Sequence, residues 1–278
     1  MFQEAVIPLD VWVSQFVEWL VNNYRGFFQT IKWPVEQTLI GFDQGLNALP
    51  PWVVILALAF VAWRFSGLWL ALFTAAVMVF IGLLGLWEQT MTTLAMVVSS
   101  VLFCAVVGLP LGILAARSDR FDTYLRPVLD AMQTTPAFVY LVPIVMLFSV
   151  GNVAGVLATI IFALPPIIRL TNLGIRQVPK ELVEAAQAFG ATRGQVLRKV
   201  QIPIATPTIL AGLNQTIMMA LSMVVIAALI GAGGLGAPVI LGLNTLDIGR
   251  AVIGGLSIVF MAMVLDRITQ SMANKKHP

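Results

Sequence analysis

Residues able to do covalent or metal chemistry are few and scattered in this 278-residue chain. Its one cysteine, Cys104, sits inside the apolar run SSVLFCAVVG, and its one histidine, His277, is next to the C-terminus. A lone thiol forms no internal disulfide, and in a packed or lipid-facing helix it is inert. One cysteine and one histidine make no Cys/His metal cluster, and no Ser/His/Asp arrangement can be read around His277. The dipeptide Gly-Lys never occurs, so the G-x-x-x-x-G-K-[ST] loop that cradles nucleotide phosphates is missing. A charged, patterned and helix-forming stretch interrupts the apolar chain from Glu181 to Pro203, ELVEAAQAFGATRGQVLRKVQIP. Such a stretch reads as a rigid polar helical hairpin or as an ordinary amphipathic loop. Pro179 has its fixed φ where a helix would begin. Leu182, Ala186 and Phe189 follow at i, i+4 and i+7 as an apolar stripe. Ala185 and Ala186 are small enough for another helix to approach closely. Gly190 suits a left-handed C-terminal cap. Thr192 and Gln195 stand at capping-box spacing for a second helix. Val196, Leu197 and Val200 form its apolar stripe, with Arg193, Arg198 and Lys199 on the solvated face. Pro203 is expected to stop that helix and start the next element. The spacing predicts a rigid helix–turn–helix.

The elements that must carry this hairpin are apolar. The chain is 59% hydrophobic and 10% charged, whereas soluble domains carry about 25% charged residues. So few charges cannot cover a soluble surface, which makes this an all-α integral membrane protein. A span needs roughly 20 apolar residues. Seven apolar segments fall at about 51–63, 68–87, 92–116, 137–149, 153–170, 204–231 and 251–269, the first and fourth of them short. SVGNVAG separates the fourth and fifth and reads as a hairpin turn. With Arg64 placed inside, so are Arg117, Arg120, Arg126, Arg169, Arg176, Lys180, Arg193, Arg198, Lys199, Arg267, Lys275 and Lys276. That leaves only Arg25, Lys32 and Arg250 outside. The positive-inside rule then predicts an external N-terminus, a cytoplasmic C-terminus and a cytoplasmic hairpin. Residues 11–32 are no span. Phe16, Leu20, Tyr24, Phe27 and Ile31 line one helical face, and Trp12, Trp19 and Trp33 are interfacial anchors, so an amphipathic helix is expected to lie in the outer interface. The expected organisation is a scaffold segment over 1–50, a transmembrane domain over 51–270 with a cytoplasmic loop over 171–203, and a tail over 271–278. The N-terminus lacks the basic start and apolar core of a signal peptide.

Carboxylates are nearly absent from the spans. Asp266 stands near the inner end of the last one, while Glu88 and Asp247 lie outside the core. This weakens the reading of a self-powered secondary carrier, which usually needs ionisable or discontinuous sites at mid-depth. The chain reads as a conduit that takes its energy from elsewhere. Candidate polar groups for a path are Gln133, Thr134, Thr135, Tyr140, Asn214 and Gln215, with Met218 following. The competing reading of amides and hydroxyls at membrane depth is helix–helix glue. The glycine-rich stretch IGAGGLGAPVILGL reads as close-packed or bent backbone at the outer mouth, with Gly233 and Gly234 as candidates for an outer gate.

The stretch EAAQAFGATRGQVLRKVQIP resembles the EAA loop of permease subunits of ATP-binding-cassette importers. That pattern runs Glu-Ala-Ala, three residues, Gly, nine residues, Ile, any residue, Leu, Pro. Glu184, Ala185, Ala186, Gly190 and Pro203 match it, and Val200 and Ile202 stand in the Ile and Leu places. RPVLDAMQTTPAFVYLVPIVMLF (126–148), TIIFALPPIIRLTNLGIRQVP (159–179) and LSMVVIAALIGAGGLG (221–236) are similar to permeases of glycine betaine, proline betaine and choline importers. The resemblance implies a type I importer permease fold in a bacterial inner membrane. It implies pairing with a second copy (a homodimer), two cytoplasmic ATPases that carry ATP and Mg, and an external substrate-binding protein. It implies no nucleic-acid partner and no cofactor held by this chain. It places ATPase docking on Gly190, Ala191, Thr192, Arg193, Gly194 and Gln195, with Glu184, Ala185 and Ala186 supporting the turn. An amino acid or other small polar cargo is the alternative within the same class.

Overall fold

The computed structural model describes residues 8–274; expectations resting on Lys275, Lys276 and His277 lie outside them. Helices joined by short turns make up this range, and the first helix already departs from expectation. α1 (Leu9–Ala48) runs well past residue 32 and bends at Tyr24, whose φ of −118° and ψ of 19° leave the helical region. Its first half keeps the expected stripe, with Phe16, Tyr24, Phe27 and Ile31 exposed. Its second half is part of the bundle, because Val35 and Leu39 are buried in the main core against α4 (Trp87–Arg117) and α7 (Asn152–Arg176). The chain then turns by 108° into α2 (Pro51–Ser66), with proline in the first helical position where its missing N–H costs nothing. Gly67, at φ 98°, makes the tight reversal into α3 (Leu68–Leu83).

α4, α7 and α10 (Ile202–Ala227) form the centre of the molecule. Small residues set how closely they approach. A Cβ added at Gly112 of α4 would fall 2.6 Å from Thr171 Cβ and 2.8 Å from the Ile168 carbonyl oxygen of α7. One added at Gly212 of α10 would fall 2.9 Å from Leu170 Cβ. Helices in a bilayer gain little from burying apolar surface, so close van der Waals contact at such positions drives their packing. α12 (Ile248–Asn274) closes the bundle against α10 and α2, where Val264 and Ile268 join Ala62, Val77 and Ile81 in a second core.

Among the described residues four helical stretches are long and apolar enough to cross a bilayer: Trp87–Arg117, Asn152–Arg176, Arg193–Ile230 and Ile248–Met272. Six result if each of two bent pairs counts as one span. The seven apolar segments therefore do not map onto seven straight spans. The segment at 137–149 is a short 3₁₀ turn, Ala137–Tyr140, followed by the eight-residue α6 (Leu141–Phe148). α6 alone is about 12 Å long, under half of the apolar thickness. It is the far arm of a broken element whose near arm is the polar α5 (Asp119–Thr134), bent from it by 104°. Pro136 causes the break, because it holds Thr135 in an extended conformation at ψ 126°. α2 and α3 have 16 residues each, about 24 Å, so they span only with help from flanking residues such as the exposed Trp52 and Trp69.

All elements agree on two ends of the bundle. α4 and α7 finish at Arg117 and Arg176, beside the hairpin. A hydroxyl pair, Ser66 with Ser271, brings the end of α2 to the end of α12. Eleven of the fourteen basic residues in 8–274 belong to this end, Arg25, Lys32 and Arg250 being the others.

The helix contacts give a test. Gly112→Ala should destabilise the purified protein by about 1–3 kcal/mol through overpacking. Gly41→Ala, where an added Cβ meets nothing within 4 Å, should be neutral or slightly stabilising. Thermal unfolding in detergent measures both, and equal melting temperatures would contradict the packing described.

Candidate coupling hairpin and translocation path

The hairpin forms as its local signals require. α8 (Lys180–Ala188) follows Pro179, which serves as the cap residue before the first turn. It ends in a Schellman arrangement: Gly190 N–H donates to Gln187 O at 2.9 Å and Ala191 N–H to Ala186 O at 3.0 Å. Gly190 has φ +84°, a conformation an L side chain rarely adopts. The second helix, α9 (Arg193–Val196), opens with a complete capping box. Thr192 N–H donates to Gln195 Oε1 at 2.8 Å, and Gln195 N–H donates to Thr192 Oγ1 at 3.4 Å.

Pro203 does not stop the second helix. α9 passes through a π turn, Leu197–Gln201, directly into α10. In an α-helix, proline removes one N–H and presses its ring on the carbonyl four residues earlier, here Lys199. The wider turn absorbs this, with Ile202 N–H donating to Leu197 O, five residues back. The second helix of the hairpin and the membrane span are consequently one helical rod, Arg193–Ile230. Val196 is buried at its base. No residue of α8 is buried, and Phe189 at the tip is 94% exposed. Leu182 is exposed as well, so two of the three residues of the expected apolar stripe are left uncovered by the described residues. Ala186 is half-buried, while Glu184, Ala185, Thr192, Arg193, Gly194 and Gln195 are exposed, and Ala191 is half-buried. The stripe predicted Phe189 as a packing residue; its exposure makes it the most prominent apolar group of the surface.

One feature of this end was not anticipated. α5 is laced to α7 by polar contacts. Arg176 donates to Asn172 Oδ1 (2.7 Å), Asp119 Oδ1 (2.6 Å) and the Ala115 carbonyl (2.7 Å). Asn172 donates to Asp122 Oδ1 at 2.7 Å, and Asp122 also pairs with Arg126. Further along, Arg169 pairs with Asp130. A signal existed, since Asp119, Asp122, Arg126 and Asp130 recur at three- and four-residue steps on one helical face.

The path candidates fall in two places. Gln133, Thr134, Thr135 and Tyr140 gather at the break between α5 and α6. Thr134 and Thr135 donate to the Ala131 carbonyl (3.3 and 2.8 Å), and Tyr140 Oη donates to Met132 O at 2.6 Å. Tyr140 also meets Phe162 edge to face at 6.3 Å. Phe162 stands fourteen residues before Arg176 on α7, about 20 Å along the helix, so these groups lie at membrane depth. Gln133 and Thr134 are exposed there. Asn214 is elsewhere and is committed to α12: its Nδ2 donates to Asp266 Oδ1 at 3.0 Å and its Oδ1 accepts from Thr269. Gln270 donates to both oxygens of Asp266 (2.8 and 2.7 Å). Asn214 therefore holds two helices together. Its neighbour Gln215 is exposed, and Met218 packs on the edge of the main core.

At the opposite end, the glycine-rich stretch crosses between α10 and α11 (Gly236–Thr245) and is pinned by two side chains. Gly233 N–H donates to Asn152 Oδ1 at 2.6 Å, and Leu235 N–H donates to Thr93 Oγ1 at 2.7 Å. Gly234 has φ +81°, and a Cβ there would lie 2.4 Å from Thr93 Oγ1. At Gly233 the nearest atom would be 3.4 Å away.

Comparison with known proteins bears on this geometry. Residues 108–276 match the family described as binding-protein-dependent transport system inner membrane component. The glycine betaine/proline betaine transport system permease protein ProW of Escherichia coli (strain K12) is 55% identical over 98% of this chain and 77% of its own length. The glycine betaine transport system permease protein OpuAB of Bacillus subtilis (strain 168) is 47% identical over 97% of this chain and 96% of its own. An inward-facing structure of the MetNI methionine ABC transporter shares the fold, with a TM-score of 0.60 and 24% identity over 72% of this chain and 98% of that one.

The pinned loop predicts a difference between adjacent glycines. Gly234→Ala should lower stability and uptake strongly, because it combines a left-handed backbone with a clash. Gly233→Ala should be close to wild type. Thr93→Val should cost about 1–3 kcal/mol by leaving the buried Leu235 N–H without its acceptor. Unfolding midpoints together with radiolabelled uptake read all three.

Proposed function

The chain belongs to the binding-protein-dependent transport system inner membrane component family, and from that membership we propose how this permease subunit is powered and what it carries. It is a pore component and not an enzyme. Two copies pair across a central path, two cytoplasmic ATPases supply ATP and Mg chemistry, and an external binding protein delivers the cargo. The N-terminus is external and the hairpin end faces the cytoplasm; the basic residues at that end support this orientation. The cargo is a quaternary ammonium osmoprotectant of the glycine betaine, proline betaine or choline kind.

The observation that carries the reading is the hairpin. It is preorganised by a capping box and a Schellman turn, it leaves Phe189 and Leu182 uncovered by the described residues, and it continues without interruption into α10. Such a turn fits a groove on a partner that moves. ATP-driven closure of the two ATPases displaces both hairpins, and each rod carries the displacement into the membrane. Outward- and inward-facing states then exchange, biased by the different affinity of the two states for ATP. The character of the path supports the cargo class. A quaternary ammonium ion cannot shed its charge and is weakly hydrated, so it passes polar neutral groups and aromatic faces such as Tyr140 without a strong counter-charge. Gln133, Thr134, Thr135, Tyr140 and Gln215 are the groups proposed to meet it, with Met218 beside them. Asn214 serves α12 in this reading, and Gly233 and Gly234 frame the outer mouth.

Two experiments test the proposal. Co-reconstitution in nanodiscs with the ATPase and binding protein should show ATP turnover stimulated by a betaine and not by an amino acid; the reverse result replaces the cargo. Gly194 is open, since a Cβ there meets nothing within 4 Å. Gly194→Trp, alone or with Arg193→Glu, should leave the melting temperature unchanged while cutting uptake at least about tenfold, equivalent to about 1.4 kcal/mol of coupling. Unchanged uptake would sink the docking claim.

A further inference from the structure

A crevice of about 520 Å³ opens at the base of the hairpin, between the end of α4 and the rod formed by α9 and α10. Three cations line it, Arg117, Arg198 and Lys199, and no carboxylate does. The turn itself supplies Thr192, Gly194 and Gln195 to the same walls. Arg117 is the last residue of α4, and Arg198 and Lys199 lie in the π turn. All three cations are exposed. Among the described residues none of them forms an ion pair. Nearby acids are placed elsewhere. Asp119, two residues beyond Arg117, pairs with Arg176 at 2.6 Å. Glu184 of α8 opens on a separate crevice, beside Lys180 and Arg176. Gly194 and Arg198 stand four residues apart, as do Gln195 and Lys199, so turn and cations share one side of the rod. A partner seated on the turn therefore covers the cations as well. Taking unpaired charges out of water is expensive, so such a partner is stable there only if it brings anions.

We propose that the groove receiving this hairpin has an acidic rim, in which the ATPase presents carboxylates to Arg117, Arg198 and Lys199. This inference rests on the docking proposed for the turn and adds the chemistry of the partner's surface. The two arginines carry planar forks that hold a carboxylate at two points, and Lys199 adds a point charge. The crevice is walled by the turn, and among its lining residues only Leu197 is apolar and it is half-buried. No exposed apolar track for an acyl chain leads out of that lining, which favours a protein carboxylate over a lipid phosphate. The cations belong to two helices, so an acidic rim grips the end of α4 together with the rod. The ATPase then holds the permease by two elements rather than by the turn alone.

Biolayer interferometry of the full-length chain in dioleoylphosphatidylcholine nanodiscs, with the purified ATPase as probe, tests this. The affinity of the unaltered chain should fall at least about tenfold between about 50 and about 500 mM KCl, as salt screens the charge pairs. Arg117→Gln, Arg198→Gln and Lys199→Gln together should weaken binding about tenfold at the lower concentration and leave a salt dependence under about twofold. Arg117→Lys with Arg198→Lys should keep the salt dependence, because the charges remain. A triple variant that binds like the unaltered chain at both concentrations overturns the proposal. So does a loss of ATPase affinity, confined to the unaltered chain, when about one third of the lipid is dioleoylphosphatidylglycerol, which would give the cations to lipid phosphates. Gly194→Trp separates the rim from the docking itself. Binding unchanged by that variant removes docking and rim together, whereas binding lost in that variant and kept in the triple one removes the rim alone.

Discussion

Pro203 has no amide hydrogen, and the helix passes through it nonetheless. The π turn over Leu197–Gln201 makes that possible: it accepts a hydrogen bond from Ile202 to Leu197 and removes the demand on Lys199. Everything at the hairpin end depends on this continuity. Had the proline broken the helix, α9 would be a short flap on a hinge and motion at Gly190–Gln195 would dissipate in the joint. With the break healed, α9 and α10 are one element, which packs along α7 and is clasped to α12 through Asn214, Asp266 and Thr269.

The neighbouring helices are tied to one another as well. α4 and α7 approach closely through Gly112. α5 is held on α7 by Arg176 and Arg169 through Asp119, Asp122 and Asp130. Asp122 is buried enough that removing its partners would strand a charge, which costs far more than an exposed pair contributes. Beyond these contacts Pro136 releases the chain into the broken element, and the exposed polar groups Gln133 and Thr134 stand at that release. At the far end, Thr93 and Asn152 hold the glycine-rich loop still. The path candidates thus stand at one break in the helical backbone, between α5 and α6, and the pinned loop forms another at the opposite end.

Local signals were the legible part of the sequence. Thr192 and Gln195 at three-residue spacing gave the capping box, and Gly190 gave the left-handed cap, because both depend only on neighbours in the chain. Charge asymmetry identified one end of the bundle for the same reason. What escaped was set by tertiary context. Pro203 reads as a stop on local rules, and only the π turn overrides them. Residues 137–149 read as a span from composition, whereas Pro136 makes them the arm of a bent element. Asn214 reads equally as path or glue until Asp266 and Thr269 are seen across from it. Phe189 reads as one member of an apolar stripe, and its exposure depends on how far the hairpin projects. Sequence periodicity shows that a face is apolar and does not show which partner covers it.

The central claim is that hairpin and span form one lever. Spin labels at Gln187→Cys on α8 and Ser222→Cys on α10, both exposed sites, in a Cys104→Ala background, measure it directly by pulsed electron–electron resonance on the assembled transporter. The distance between the two labels within a chain should stay constant between nucleotide-free and ATP-trapped states, while the distance between the Gln187→Cys labels of the two copies proposed to pair should change. A change within the chain as large as that between the copies would mean that the π turn bends, and would contradict the account.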